Sequence, residues 1–259
     1  MKYNRNQDSS FWKLARSFLH EYMPIVRNLS DKTVESYKIS IKLYLTFIND
    51  EKNITNDKIT FDIFTRANMK DYIVWLKNKN ASAKTINLRM TALKSFLKYC
   101  SEEDFELRVF YNNACTIKGQ KIIKKPIEYL KPEATKAILS AFVGDTVKHR
   151  RNRMILILMY DSGCRVQEIA DLKVSSLHLD VRNPYMTVIG KGRKTRNVPL
   201  TRKTVLHLKN YLTEFHEESK DEYLFYSFLD NKPHQLSTDS IALILKQAAK
   251  IAKERCALV

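Results

Sequence analysis

Two side chains that together could form an anion-binding site lie three residues apart in the segment YDSGCRVQEIADL. They are Arg165 and Glu168, and they follow Gly163. Because glycine permits a tight turn, Arg165 can lie at the start of a helix, where backbone N–H groups also favour an anion. Glu168 lies on the same helical face and can orient the guanidinium, which could then donate two hydrogen bonds to phosphate oxygens. A plain intramolecular Arg–Glu pair would explain the spacing as well.

A second candidate lies 26 residues further on, at the segment GKGRKTR. It carries four cations within six residues and no acid: Lys191, Arg193, Lys194 and Arg196. β-Branched residues on both sides predict a β-hairpin with this segment at its turn. The glycines beside Lys191 would let that lysine and its backbone approach another chain closely. A solvated basic turn is the alternative, but it does not account for the arginine-bearing helix start upstream.

The composition supports a nucleic-acid partner for these cations. Lys and Arg number 45 against 28 Asp and Glu, a net charge of +17, and a protein this basic usually binds a polyanion. A membrane surface would also attract it, but the sequence has no long apolar span and no signal peptide. The four scattered cysteines lack the paired spacing of a zinc site and are typical of reduced thiols in a cytoplasmic protein.

Long regular elements must position the candidate residues, because 259 residues contain only 5 glycines and 6 prolines. We predict a mainly α fold with a small antiparallel sheet. Residues 1–110 are predicted to form a helical domain of four helices, the first ended by Pro24 and the next three opened by Ser30, Thr65 and Ser82.

The segment 111–131 has no helical or strand period and is rich in lysine, so we predict an extended, solvated linker. It could run along phosphates, or it could be a surface loop that lysine keeps soluble. Residues 132–259 are predicted to form a mixed α+β domain that contains the hairpin and ends in the helix of LSTDSIALILKQAAKIAKE.

These motifs and their order resemble the tyrosine recombinase (phage integrase) family. The likeness covers nearly the whole chain, through SAKTINLRMTALKSFLKYC, YDSGCRVQEIADL and MTVIGKGRKTRNVPLT. It implies a helical core-binding domain and a catalytic domain that together hold duplex DNA. It also implies that Arg165 grips the scissile phosphate, that Glu168 supports it, and that Lys191 protonates the departing 5′ oxygen.

The same resemblance implies metal-free strand exchange through a 3′-phosphotyrosyl link. Fixed cations can stabilise the charge that develops on the phosphate oxygens. The sequence shows no obvious carboxylate cluster for two metals and no phosphate loop for ATP, so no cofactor is expected. Family members assemble as tetramers on paired sites, whereas we expect this chain to be a monomer in free solution.

The family pattern is incomplete in these residues. None of the six histidines has an arginine three positions later, and no tyrosine is a candidate nucleophile. Tyr211, Tyr223 and Tyr226 precede the place where the His-x-x-Arg motif is expected, in segments typical of a core. We therefore expect a catalytic domain truncated at its C-terminus, which binds DNA without cleaving it.

Further DNA contacts are predicted on the helix that Ser82 opens and on the hairpin. The predicted helical contacts are Lys84, Thr85, Arg89 and Lys94, and the hairpin contacts are Arg193, Lys194 and Arg196. Arg150, Arg151 and Arg153 could bind phosphate or form a solvated face.

Three functions remain compatible with the sequence. They are an incomplete recombinase or integrase of a mobile element, a non-catalytic DNA-binding module derived from one, and a basic RNA-binding protein. The third explains the charge but not the spacing of Arg165, Glu168 and Lys191.

Overall fold

The computed structural model describes residues 10–123, 126, 129–144, 146–190, 192, 194–216, 222–229 and 232–259, with the backbone alone at 228 and 229. The chain divides into two compact units, an N-terminal unit of Met1–Pro126 and a C-terminal unit of Ile127–Val259. Each has its own hydrophobic core. The predicted architecture, mainly helical with small antiparallel sheets, is confirmed.

The N-terminal unit is helical throughout its regular elements. These are α1 (Ser10–Ser17), a wider π-type helical segment (Phe18–Val26), α2 (Asp31–Lys52), α3 (Arg66–Asn78), α4 (Ala83–Glu103) and α5 (Arg108–Cys115), with single 3-10 turns at Asn56–Lys58, Phe61–Ile63 and Phe105–Leu107. Thr65 and Ser82 cap α3 and α4. The side-chain oxygen of each accepts a hydrogen bond of 3.1 Å from the backbone N–H three residues later, that of Asn68 and that of Thr85 respectively. These two helix starts were predicted correctly.

An aromatic core holds these helices together. Phe11, Phe18, Phe64 and Phe96 are buried and in ring contact, which joins α1, the π-type segment and α4 to the connection before α3. Aromatic side chains bury large apolar areas, so this cluster contributes much of the driving force for packing.

The prediction that Pro24 ends the first helix is wrong. Pro24 lies inside the π-type segment, and the backbone N–H of Arg27 still bonds to the carbonyl oxygen of Tyr22 at 2.8 Å. Wider turns relieve the clash that a proline ring makes with a preceding carbonyl in a regular α-helix. The burial of Phe18 and Met23 on this segment favours its continuation.

The predicted linker 111–131 is also corrected at its start. Residues 111–115 belong to α5, in which Ala114 is buried, and Ile117 is buried just beyond the helix. Lys94 donates to the carbonyl oxygen of Ile117 at 2.7 Å. The side-chain amide of Asn87 bonds both the N–H and the C=O of Gln120, at 2.7 and 2.9 Å. The chain is thus tied to α4 as far as residue 120.

The C-terminal unit mixes helices with two small sheets. Its helices are α6 (Pro132–Leu139), α7 (Val147–Ser162), α8 (Val166–Ala170), α9 (Arg202–Phe215) and α10 (Thr238–Lys253), with a 3-10 turn at Val174–Ser176. Strands β1 (Leu177–His178), β2 (Tyr185–Ile189) and β3 (Thr195–Pro199) form one antiparallel sheet, and β4 (Tyr226–Leu229) pairs antiparallel with β5 (Lys232–Gln235).

The predicted hairpin is the β2–β3 pair. Its register sets Met186 opposite Val198 and Val188 opposite Arg196, and the three apolar members are buried. Because side chains alternate between the faces of a sheet, Arg196 lies on the face of β3 that carries the buried Val198. This places the arginine toward the core side of the hairpin.

Within the part of the chain that the structure describes, no helix combines the length and apolarity needed to cross a bilayer.

Candidate active site

The turn between α7 and α8 positions Arg165. Gly163 adopts a left-handed conformation (φ 59°), and its N–H bonds to the carbonyl oxygen of Met159 at 3.1 Å, which closes the end of α7. A Cβ at this position would meet nothing within 4 Å, so the backbone conformation, not lack of space, favours glycine. Arg165 follows in an extended conformation directly before Val166, the first residue of α8.

Glu168 is the buried centre of the site, with 4% of its surface exposed. Its carboxylate accepts hydrogen bonds from the backbone N–H of Arg165 (2.8 Å) and from Nη1 of the same residue (2.9 Å). Arg196 donates through Nη1 to Oε1 and through Nη2 to Oε2, both at 2.8 Å. The hydrogen bond from Arg196 is the largest cause that lowers the pKa of Glu168, which falls to about 2 although burial acts against it. The carboxylate is therefore ionised under ordinary conditions.

Arg196 reaches this carboxylate because of the shape of the hairpin. Gly190 lies at the end of β2, and its N–H bonds to the carbonyl oxygen of Lys194 at 2.8 Å. A Cβ on Gly190 would lie 3.0 Å from Nη1 of Arg196 and 3.2 Å from Oε1 of Glu168. The glycine thus leaves the space that the ion pair occupies. Glu168 in turn raises the pKa of Arg196, whose Nη2 also lies 3.9 Å from the Cys164 Sγ.

The guanidinium of Arg165 keeps most of its hydrogen-bonding capacity. Its side chain is 68% exposed, and the one side-chain bond it makes within the described residues is that from Nη1 to Glu168. A guanidinium carries five N–H donors, so the remaining ones can bind an anion such as phosphate. The Arg165–Glu168 pair expected as the alternative is present, and it leaves an anion-binding edge available.

The predicted hairpin cations are described only in part. Lys191 and Arg193 lie outside the described residues, whereas Lys194 is exposed. The roles that the resemblance implies for Arg165 and Lys191 at the scissile phosphate therefore stay predictions. Arg196, predicted to contact DNA, has its two Nη atoms bonded to Glu168.

The four predicted contacts on α4 differ in their surroundings. Lys84 is exposed, and the hydroxyl of Thr85 lies 2.9 Å from that of Ser82. Arg89 is half-buried and donates to Ser40 Oγ at 2.9 Å, and Lys94 bonds to the linker backbone. These DNA contacts stay predictions, and the structure leaves Lys84 the most accessible of the four.

The three arginines at the start of α7 have partners inside the C-terminal unit. Arg150 pairs with Glu214 (2.5 Å), Arg151 donates to the carbonyl oxygen of Tyr226 (2.8 Å), and Arg153 donates to that of Phe142 (2.8 Å). Their structural role was not foreseen from the sequence.

The tyrosines set aside as nucleophiles occupy different environments. Tyr211 is buried, and burial raises the pKa of its phenol. Tyr226 donates to the carbonyl oxygen of Phe215 at 2.8 Å, while Tyr223 lies at the surface with 36% exposure, contrary to a core position. Within the described residues, no group of three or more His, Cys, Asp or Glu side chains could hold a metal ion.

The fold and this site define a class of protein: a helical unit followed by an α+β unit in which a buried carboxylate orients an exposed arginine. Comparisons with known proteins specify the class. The model of the phage integrase family matches residues 128–256, and that of the phage integrase N-terminal SAM-like domain matches residues 17–104.

Two curated relatives illustrate the similarity. A tyrosine recombinase of Pseudothermotoga lettingae is 30% identical over 215 residues, which are 82% of this chain and 70% of that protein. Tyrosine recombinase XerC of Chlamydia muridarum is 28% identical over 234 residues, 85% of this chain and 73% of that protein. A solved structure, a lambda integrase tetramer bound to a Holliday junction, has the same fold, with a TM-score of 0.68 and 16% identity over 96% of this chain and 68% of that one.

The chain belongs to the tyrosine recombinase (phage integrase) family.

Proposed function

We propose that this chain is the DNA-binding portion of a site-specific recombinase or integrase of a mobile element, and that Arg165 binds the scissile phosphate. The observation that carries the proposal is the exposed guanidinium of Arg165, held by a buried, ionised Glu168 while its remaining donors face solvent. Names of relatives and of the structural neighbour support DNA recombination as the family activity.

The proposed chemistry is phosphodiester transesterification without a metal. In the family reaction a tyrosine hydroxyl, which these 259 residues are not proposed to supply, passes its proton to a base and attacks phosphorus. A phosphorus–oxygen bond to the tyrosine forms, and the bond to the 5′ oxygen breaks. Negative charge accumulates on the non-bridging oxygens, and a preorganised guanidinium stabilises it most strongly in the transition state. The departing 5′ oxygen takes a proton from Lys191, and the 3′ end is held as a phosphotyrosyl ester.

The 259 residues themselves are proposed to bind DNA without cleaving it. They contain no His-x-x-Arg sequence, so the second cationic group of the family pattern is missing from them. The same observation favours a second candidate function, a non-catalytic module that occupies recombination sites as a regulator or competitor.

A nicked suicide duplex tests the cleavage part of this proposal. The 259-residue protein is first used to select bound duplexes from a pool of randomised sequence, and nicked versions of those duplexes are then incubated with it. We expect stable binding and no covalent adduct on a denaturing gel. An adduct would disprove the inactivity of these residues and locate a nucleophile among them.

Binding itself is tested by its salt dependence. If roughly six to ten cations contact phosphates, affinity for a duplex falls by about a thousandfold or more between about 50 and 200 mM salt. Lys84 and Lys194 are proposed contacts that are exposed in the described part of the chain, and neutralising either should reduce the slope of log affinity against log salt concentration by about one. A flat salt response would reject the phosphate-contact proposal.

Sedimentation of the free protein tests the proposed monomeric state. We expect a single species near 30.4 kDa in the absence of DNA. A concentration-dependent increase in mass would reject it.

A further inference from the structure

The Glu168 carboxylate makes different hydrogen bonds with Arg165 and with Arg196. Arg196 contacts both carboxylate oxygens through both of its Nη atoms, whereas the side chain of Arg165 contacts Oε1 alone. The Arg165 side chain is also the more exposed of the two, at 68% against 42%. The two guanidiniums therefore share one carboxylate oxygen but differ in how much of each remains available to a ligand.

We infer that Arg196 is a positioning residue, which fixes the Glu168 carboxylate and thereby the phosphate-binding guanidinium of Arg165, and which does not itself bind phosphate. The inference rests on the proposed function, because it takes Arg165 as the phosphate ligand. It differs from the expectation, drawn from the basic hairpin, that Arg196 contacts DNA directly.

Bidentate geometry explains how Arg196 fixes the carboxylate. Two parallel N–H···O bonds define both the position and the plane of the carboxylate group, which a single bond cannot do. With that plane fixed, Oε1 and Oε2 point to the side-chain and backbone donors of Arg165 respectively. Arg165 is thereby restrained at two points, although most of its side chain lies in solvent.

The charges of Arg165, Glu168 and Arg196 also favour a positioning role for Arg196. Arg165 and Glu168 alone form a neutral pair, which attracts a phosphate weakly. Arg196 adds a second cation, so the cluster is net positive while its exposed edge belongs to Arg165. Arg196 also offsets the cost of burying a carboxylate, because an unpaired buried charge is strongly destabilising.

The neighbouring residues accommodate a guanidinium in this position. Gly190 leaves room for it, since a Cβ there would lie 3.0 Å from Nη1 of Arg196. The buried Cys164 Sγ lies 3.9 Å from Nη2. An ammonium group at position 196 would retain the charge but lacks the rigid planar pair of donors that fixes the carboxylate plane.

The test compares Arg196→Lys, which retains the charge, with Arg196→Met, which removes it, and with Lys253→Met as a matched control. Lys253 is an exposed lysine at the end of α10. Side-chain NMR measures two quantities in each protein: the pH titration of the Glu168 carboxyl and the response of each arginine guanidinium to inorganic phosphate. Thermal melts report whether each variant is folded.

In the wild type we expect phosphate to shift the Arg165 signal and to leave that of Arg196 nearly unchanged. In Arg196→Lys we expect the pKa of Glu168 to rise by about one pH unit or more. The apparent phosphate affinity at Arg165 should fall by about tenfold, although the net charge is unchanged. Lys253→Met should behave like the wild type in both measurements.

Two results would overturn the inference. One is a phosphate response of Arg196 as large as that of Arg165, which would make Arg196 a ligand. The other is wild-type behaviour of Arg196→Lys, which would leave charge alone as its contribution. If both position-196 variants fail to fold, Gly190→Ala replaces them, because its Cβ displaces the ion pair by a few tenths of an ångström. An unchanged Glu168 titration and unchanged phosphate binding at Arg165 in that folded variant would also reject the inference.

Failure of the proposed function gives a different result. In that case the wild-type protein does not bind a DNA duplex, yet the titration of Glu168 still responds to position 196.

Discussion

Neutralising Glu168 should destabilise the C-terminal unit, and the hydrogen bonds at the site give the magnitude. Glu168→Gln removes the anion that accepts four hydrogen bonds and leaves two guanidiniums close together. Breaking a fully buried ion pair costs about 3–5 kcal/mol, but both arginines reach solvent here, so we expect roughly 2–3 kcal/mol. For a unit of this size the Tm should fall by roughly 6–12 °C.

The two tryptophans provide an internal reference for this measurement. Trp12 and Trp75 both lie in the N-terminal unit, so tryptophan fluorescence follows that unit and circular dichroism follows both. We expect the fluorescence transition in urea to be unchanged and a separate part of the dichroism transition to move to lower urea. Glu254→Gln, at an exposed position after α10, controls for the loss of one negative charge and should change stability by less than about 0.5 kcal/mol.

The pH dependence of stability tests whether Glu168 acts as an ionised carboxylate. The pKa of Glu168 is lower in the folded protein than its ordinary value of 4.5. The ionised carboxylate therefore contributes fully to stability above about pH 4.5, and this contribution is lost as the pH falls toward about 2. The stability difference between wild type and Glu168→Gln should therefore shrink over that interval. A difference that stays constant, or that is below about 0.5 kcal/mol at neutral pH, would show that the arginines do not depend on this carboxylate.

Substitutions at three further positions test other parts of the fold. Gly163→Ala should cost about 1 kcal/mol of unfolding free energy through its left-handed backbone, with Gly163→Asn less costly; equal stability of all three proteins in urea would contradict this. Lys94→Met should lower the stability of the N-terminal unit by about 1 kcal/mol, since it loses a hydrogen bond to the linker backbone, and a loss of duplex affinity without a loss of stability would instead identify a DNA contact. Tyr44→Phe should cost only about 1 kcal/mol in a thermal melt, because the Ile63 carbonyl that Tyr44 bonds at 2.7 Å also accepts from Asn68; a loss above about 3 kcal/mol would show that this second bond does not compensate.

Local sequence signals were sufficient where the backbone alone sets the geometry. Arg165 and Glu168 are three residues apart at a helix start, and that spacing brings their side chains together. The cap residues Thr65 and Ser82 act within a single turn of their helices. β-Branched segments on both sides of a glycine-containing, charged turn were enough to predict the β2–β3 hairpin.

Errors arose where a local rule was opposed by packing. Pro24 is a helix breaker by itself, but the burial of neighbouring Phe18 and Met23 favours a helical path with wider turns. The beginning of the linker lacks a clear period, yet Ala114 and Ile117 bury themselves in the N-terminal unit. Hydrophobic burial over a segment can outweigh the propensity of one residue.

The sequence by itself determined the family, the mainly helical architecture and the Arg165–Glu168 pair, because motifs and short spacings are properties of neighbouring residues. Only the tertiary structure decided that Arg196, 28 residues from Glu168, holds the same carboxylate. A signal existed in the alternation that sets Arg196 on the face of β3 with buried Val198, but alternation does not specify which acid lies opposite. That choice depends on how the hairpin packs beside α8, and this packing ties the Arg196 guanidinium to Glu168 although its side chain is 42% exposed.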